Sequence, residues 1–270
     1  MLIQYKLYKI MFLSIIQGLT EFLPISSTAH IIILSKLFHI SCNDFFKLFV
    51  TVIQLGSMIA TCIFFRTNII DILNNTLKYN IITNKKFNLI HIILVTLPIV
   101  ICGLFLYKYI KHITNIKNII YGLLIGSILI CLAEIFKPKN NIIYSLNNIN
   151  YQKLYIIGLM QCLSLIPGFS RSGAVLSINL LLGIKRTLAT KLCFIMAIPV
   201  ILGASCLDLY KNHTLLNINN ILLLFESLLV SFIISLLTIK ISLFLINHIS
   251  WLYFVIYRLI ILIIIYINYI

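Results

Sequence analysis

Charge is what this chain has least of. Only 10% of its 270 residues are charged, and just six are Asp or Glu. With 61% hydrophobic residues and a mean hydropathy of +1.09, no soluble domain of this length has enough interior to hide the apolar surface. A soluble protein is excluded, and the fold class is an all-α polytopic membrane protein. Paired cysteine motifs are missing as well. Cys42, Cys62, Cys102, Cys131, Cys162, Cys193 and Cys206 are odd in number and show no CxxC or Cys/His ligand spacing. That excludes a disulfide framework and a thiolate metal site, and leaves them as small core hydrophobes. No A-x-A site follows the first apolar run, which Gln17 and Glu21 interrupt, so the N-terminal segment reads as retained rather than as a cleaved signal. The formal charge of +15 accompanies an excess of Ile, Asn, Lys and Tyr that an A/T codon bias explains. Lys and Arg lie between apolar runs, where anionic headgroups meet them, so membrane lipid is an expected partner and nucleic acid is not.

What is present is a series of apolar windows of spanning length, at 46–65, 89–110, 118–136, 189–209, 219–244 and 250–269. Two further apolar regions, 7–38 and 154–184, are broken by "EFLPISSTAH" and "IPGFSRSG". In each, a proline (Pro24, Pro167) ends one helix and a hydroxyl residue can cap the next. These regions read as re-entrant helical hairpins, because broken backbone at membrane depth is tolerated only where protein buries it or where it lines a wet cavity. The two halves also look related. An offset of 144 places Gln17 on Gln161, in "QGLT" and "QCLS", and Lys47 on Lys191, in "FKLF" and "TKLC". In each half a hairpin is followed by that lysine and three spans, so the second copy is inverted. The expected organisation is one membrane domain, 1–270, made of repeats 1–136 and 151–270. Basic residues divide eleven to eight between the faces, with Lys185 and Arg186 on the richer side and Lys36, Lys47 and Lys211 on the other. The richer face is expected to be cytoplasmic, with both termini outside.

Chemistry concentrates in the two breaks. Gln17 and Glu21, four apart, share a helix face, and so do Ser27 and His30 at the start of the next half-helix. A carboxylate, a hydroxyl and an imidazole are the parts for general acid–base or nucleophilic work. Glu21 and Gln17 could instead offer oxygens to Mg²⁺ or Ca²⁺. Arg171 lies between Ser170 and Ser172, after the Pro167–Gly168 break. An arginine at membrane depth costs about 2.5–3.5 kcal/mol and needs a partner. If the hairpins meet, two half-helix N-termini, near Ser26–Thr28 and Ser170–Ser172, converge with Arg171 on a phosphate or diphosphate. The plainer reading is an Arg171–Glu21 ion pair bracing the hairpins, which can coexist with function as a resting state. Glu226 and Arg258, inside apolar windows, are expected to pair with each other or reach an interface. Lys47 and Lys191 are expected to snorkel at the starts of spans.

Taken together, "QGLTEFLPISSTAH" and "PGFSRSG" resemble the undecaprenyl-diphosphatase family of bacterial inner membranes, the bacitracin-resistance type, over essentially the whole chain. The resemblance rests on an (E/Q)-x-x-x-E pattern running into P-x-S-S-T-x-H, and on P-G-x-S-R-S. It implies metal-assisted removal of the terminal phosphate of undecaprenyl diphosphate, which recycles the lipid carrier of cell-wall precursors and confers bacitracin resistance. By motif position, Glu21, Ser27, His30 and Arg171 are the expected catalytic residues. Ser26, Thr28, Gly168, Ser170 and Ser172 would bind substrate, and Glu21 with Gln17 would hold a divalent cation. Ser27 or a water would be the nucleophile, with His30 or Glu21 taking its proton. Two departures stand out: many members have glutamate where this chain has Gln17, and a threonine where it has Val175. A homo-oligomer is compatible with the sequence. The rival reading is a transporter of a lipid phosphate, since inverted repeats with broken helices are transporter architecture. A phosphatase with a histidine nucleophile is discounted, because the next histidine after "FSRSG" is His213, across a span.

Overall fold

The computed structural model describes residues 2–41, 43–78, 86–112, 116–139 and 142–269. Cys42 lies outside them, as do the side chains of Lys6, Lys78, Lys85, Lys108 and Lys111 from the orientation count. Among the described residues helices and their connecting turns make up nearly all of the chain, and six of the helices are long and apolar enough to cross a membrane. These are α3 (Asp44–Phe64), α5 (Leu89–His112), α6 (Ile116–Phe136), α9 (Arg186–Lys211), α10 (Ile218–His248) and α11 (Leu252–Tyr269). Each matches one of the six expected windows to within two residues or extends beyond it. A further helix, α4 (Arg66–Lys78), was not expected from hydropathy. It is amphipathic, burying Ile72 while Arg66 and Asp71 stay exposed.

Both broken regions fold as helix pairs. The first consists of α1 (Leu2–Thr20) and α2 (Ser27–Leu37); the second of α7 (Tyr151–Gln161) and α8 (Arg171–Leu181). A short 3₁₀ turn, Cys162–Leu165, extends α7 toward its break. With 11 residues each, α2 and α8 rise about 16 Å, half a hydrocarbon core. Each starts at a serine in left-handed backbone, Ser26 at φ 71° and Ser170 at φ 78°. Their hydroxyls accept the N–H of Ala29 and of Gly173, satisfying one orphan donor apiece.

Packing depends on small residues that let backbones approach, because lipid provides no hydrophobic drive between helices. On α10, Ser227, Ser231 and Ser235 repeat every fourth position and are fully buried. Ser231 donates to Ile53 O at 2.7 Å, Ser235 to Ser57 Oγ at 2.9 Å, and Thr238 to Gly18 O at 2.8 Å, tying α10 to α3 and α1. Such bonds contribute about 0.6 kcal/mol each. The opposite stripe of α10 (Ile233, Leu237, Ile241, Phe244) is exposed, as a lipid-facing surface must be. On α6, Gly122 and Gly126 carry the second break. A Cβ on either would collide with the backbone of Pro167–Phe169. Helix α6 thereby holds the tip of the second hairpin in the interior.

Candidate active site

The two breaks meet. Glu21 N donates to Gln17 O at 3.0 Å, so Glu21 closes the last turn of α1 and shares a face with Gln17, as their spacing predicts. Gln17 Nε2 donates to Glu21 Oε2 at 2.8 Å, and Ser27 Oγ donates to the same oxygen at 2.6 Å. The other carboxylate oxygen, Oε1, accepts from Arg171 Nη2 at 2.6 Å, across 150 residues of sequence. Ser172 Oγ adds a second cross-hairpin bond, to Leu23 O at 3.0 Å. The expected Arg171–Glu21 bracing pair is therefore present, and it joins the hairpins rather than capping one of them. Glu21 and Arg171 keep 10% and 18% side-chain exposure, both toward a cavity, so neither charge is sealed away from a ligand.

That cavity has a volume of about 350 Å³ and is lined by Glu21, Ser26, Ser27, Thr28, Gly168, Ser170, Arg171 and Ser172. Eight of the expected site residues thus face one space. Two helix N-termini, α2 and α8, open onto it, and their free N–H groups and dipole ends favour an anion. Apolar side chains (Phe46, Val50, Ile99, Leu165, Ile201) cover part of the wall. A polar arm runs outward through Gln54, Thr51 and Lys47 of α3 and Asp208 and Asn212 at the end of α9. Thr51 Oγ1 donates to Asp208 Oδ2 at 2.8 Å. Hydropathy placed Lys47 only at the start of a span. The signal that joins the α3 residues is their spacing of 47, 51 and 54 on one helix face.

Two expected residues sit elsewhere. Gln17 is fully buried behind Glu21 and does not line the cavity. Its Oε1 has no hydrogen-bond partner among the described residues, an orphan acceptor beside a carboxylate. His30 does not line the cavity either. Its Nδ1–H donates to Ser26 O at 2.8 Å, which leaves Nε2 to accept from Tyr257 Oη at 2.7 Å, with the two rings stacked. Ser27 and His30 are three apart, yet α11 occupies the side toward which His30 turns. The departure at Val175 is also placed: it is buried among the apolar side chains of α8 and its neighbours, away from the cavity lining.

Arg258 does not pair with Glu226. It is completely buried and donates to Ser127 Oγ and to five backbone carbonyls. Glu134 meets Arg186 instead, through both carboxylate oxygens at 2.7 and 2.6 Å, with Arg186 also donating to Ile249 O. Among the described residues no three His, Cys, Asp or Glu side chains gather as a metal cage. The donor set near Glu21 is one carboxylate, a buried amide oxygen and hydroxyls, and oxygen donors of this kind suit a hard divalent cation.

Fold and site together define a polytopic membrane protein whose two broken helix pairs bring a carboxylate, a hydroxyl and a guanidinium to one cavity. The family described as Bacitracin resistance protein BacA matches residues 10–264, and the chain belongs to that family. It is similar to the undecaprenyl-diphosphatase of Buchnera aphidicola subsp. Schizaphis graminum (strain Sg), at 44% identity over 254 residues, which cover 94% of this chain and 95% of that protein.

Proposed function

We propose that this protein hydrolyses undecaprenyl diphosphate to undecaprenyl phosphate and inorganic phosphate in the bacterial inner membrane. Family membership and the 44% identical relative support the reaction. The observation that carries the site is the Ser27–Glu21–Arg171 chain of 2.6 Å contacts facing a cavity between two helix N-termini. Glu21 is placed to take the proton of Ser27 Oγ as that oxygen attacks the terminal phosphorus. The new Ser27 O–P bond forms as the bond from phosphorus to the bridging oxygen breaks, and undecaprenyl phosphate leaves. Water then attacks that phosphorus as the Ser27 O–P bond breaks, Glu21 returns its proton to Ser27 Oγ, and inorganic phosphate leaves. Arg171 and the N–H groups of α2 and α8 hold the non-bridging oxygens, where charge is spread in a loose transition state. His30, bound to Ser26 O and Tyr257, orients the first turn, and Glu21 is the base. A divalent cation would be held by Glu21 and Gln17, and when bound it neutralises charge on the diphosphate. The apolar wall suits the proximal isoprene units.

The same proposal includes two inverted repeats, 1–136 and 151–270. Under the offset of 144, α1 corresponds to α7, α2 to α8 and α3 to α9, while α5 and α6 match α10 and α11 by their order in each repeat. The packing of α1 on α10 then matches that of α7 on α5, while α3–α9 and α6–α11 are self-matching pairs. Lys47 and Asn212, at the outer end of the polar arm, fall on the face with fewer basic residues. Phosphate would thus be released away from the cytoplasm.

The test is phosphate release by purified protein given undecaprenyl diphosphate, with and without Mg²⁺, beside Arg171→Ala and Glu21→Ala. Cation-dependent release in the parent, lost in both folded variants, is expected. A folded parent that releases no phosphate under any cation would overturn the proposal.

A further inference from the structure

Arg258 has no exposed surface, and its guanidinium touches backbone from both hairpins at once. Nη1 donates to Pro24 O at 3.2 Å, in the first break. Nη2 lies 3.1 Å from Gly168 O and 3.1 Å from Phe169 O, in the second. Nη2 also reaches Leu123 O at 3.0 Å and Gly122 O at 3.3 Å on α6, while Nε donates to Ser127 Oγ at 2.9 Å. Pro24 and Gly168 are 144 residues apart, the offset that also relates Gln17 to Gln161 and Ser26 to Ser170. One rigid, planar group thus holds the corresponding carbonyl of each break. Glu21 lies three residues before the first of those carbonyls, and Arg171 three residues after the second. Tyr257, the preceding residue on α11, anchors the first turn again through His30 and Ser26 O. Neither Tyr257 nor Arg258 lines the cavity.

A buried guanidinium at membrane depth is unfavourable, and satisfying broken backbone alone does not require one. Small donors or local helical adjustments satisfy such carbonyls elsewhere. What a guanidinium adds is a fixed fork, which a lysine ammonium lacks. We infer that Arg258 is a positioning residue of the diphosphate site, setting the distance between the Ser26–Thr28 turn and the Ser170–Ser172 turn that grip the substrate from two sides. The inference rests on the reading of the cavity as a diphosphate site. Its effect falls on the transition state, because each turn still contacts the ground-state substrate when the spacing relaxes.

The experiment compares Arg258→Lys with Ser127→Ala in the phosphate-release assay, together with melting midpoints and inhibition by vanadate, a mimic of the transferred phosphoryl group. Ser127→Ala removes the Nε partner on α6 but leaves both break contacts intact. For Arg258→Lys, kcat is expected to fall about 100-fold, the cost of a misplacement near 1 Å, with KM within about threefold of the parent. Vanadate inhibition should weaken by a similar factor, because binding lost only in the transition state is shared with its mimic. Ser127→Ala should keep kcat within about threefold at a comparable melting midpoint. A folded Arg258→Lys with parental kcat overturns the inference. So does a Ser127→Ala variant that loses kcat equally, since any loosening of α11 would then suffice. Should Arg258→Lys fail to fold, Tyr257→Phe decides, as it removes one hydroxyl and leaves no cavity. There kcat is expected to fall about tenfold at constant KM, the value of one hydrogen bond realised in the transition state, and an unchanged kcat overturns the clamp. The parent and Arg171→Ala run in the same assay. A silent parent sinks the site reading itself, whereas an active parent with an indifferent Arg258→Lys sinks only the positioning role.

Discussion

Ser26 and Ser170 stand 144 residues apart, both at positive φ (71° and 78°), and each caps an 11-residue half-helix with its own hydroxyl. Left-handed conformation is unfavourable for serine and persists where the surroundings impose it. Here Tyr257 and Arg258 of α11 impose it on the first turn, and Gly122 and Gly126 of α6 crowd the second. Both turns line one cavity.

Ser27 and Glu21 act as a unit if the hydroxyl is the nucleophile and the carboxylate its base. Ser27→Ala and Glu21→Gln should each lower kcat by on the order of 10³-fold, and the double variant should fall little further. Steady-state phosphate release on the three proteins checks this. Additive losses would separate the two roles.

Gln17→Glu restores a second carboxylate beside Glu21. The half-saturating Mg²⁺ concentration should drop roughly fivefold, since ligand charge sets affinity for a hard cation. A Mg²⁺ titration of activity reads this directly. An unchanged midpoint would place the cation away from Gln17.

His30 orients Ser26 in this geometry and does not reach Ser27's proton. His30→Gln should reduce kcat by about tenfold or less and leave the shape of the pH–rate profile unchanged. Loss of the profile's acidic limb in that variant would return the base to His30.

Gly122→Ala introduces a methyl group where Pro167 O and Phe169 N already lie. It should destabilise the fold by about 1–3 kcal/mol and cut activity with it. Gly203→Ala on α9, where a Cβ meets nothing within 4 Å, is the neutral control. Melting curves of both variants test the contrast.

Arg186 and Glu134 tie α9 to α6 through a pair with 19% and 10% side-chain exposure, and neither residue lines the cavity. Arg186→Ala should lose about 2 kcal/mol of stability, less than a fully sealed pair. The folded fraction should keep parental kcat. A selective loss of kcat would link this cluster to the site.

The sequence by itself determined the six spans, the two interrupted hairpins and the polar residues of the two breaks that line the cavity. Each of those is a local matter: apolar length against bilayer thickness, a proline that ends a helix, a serine that caps the next one. Glu21, Ser27 and Arg171 were legible because a polar residue at membrane depth needs a partner, and few partners were available. The Arg171–Glu21 pair was already among the expected ones, whereas the partners of Arg258 and His30 were decided only by the tertiary structure. Arg258 sits in an apolar window just as Glu226 does, and nothing within its own helix distinguishes a neighbouring carboxylate from carbonyls some 90 and 234 residues away. His30 has the spacing to join Ser27, yet α11 packs beside it and Tyr257 takes its Nε2. Lys47 and Asp208 look like span ends until α3 and α9 come together around the cavity. Local rules act over one or two helical turns, whereas a buried hydrogen-bond partner is chosen by whichever distant backbone the packing brings within 3 Å.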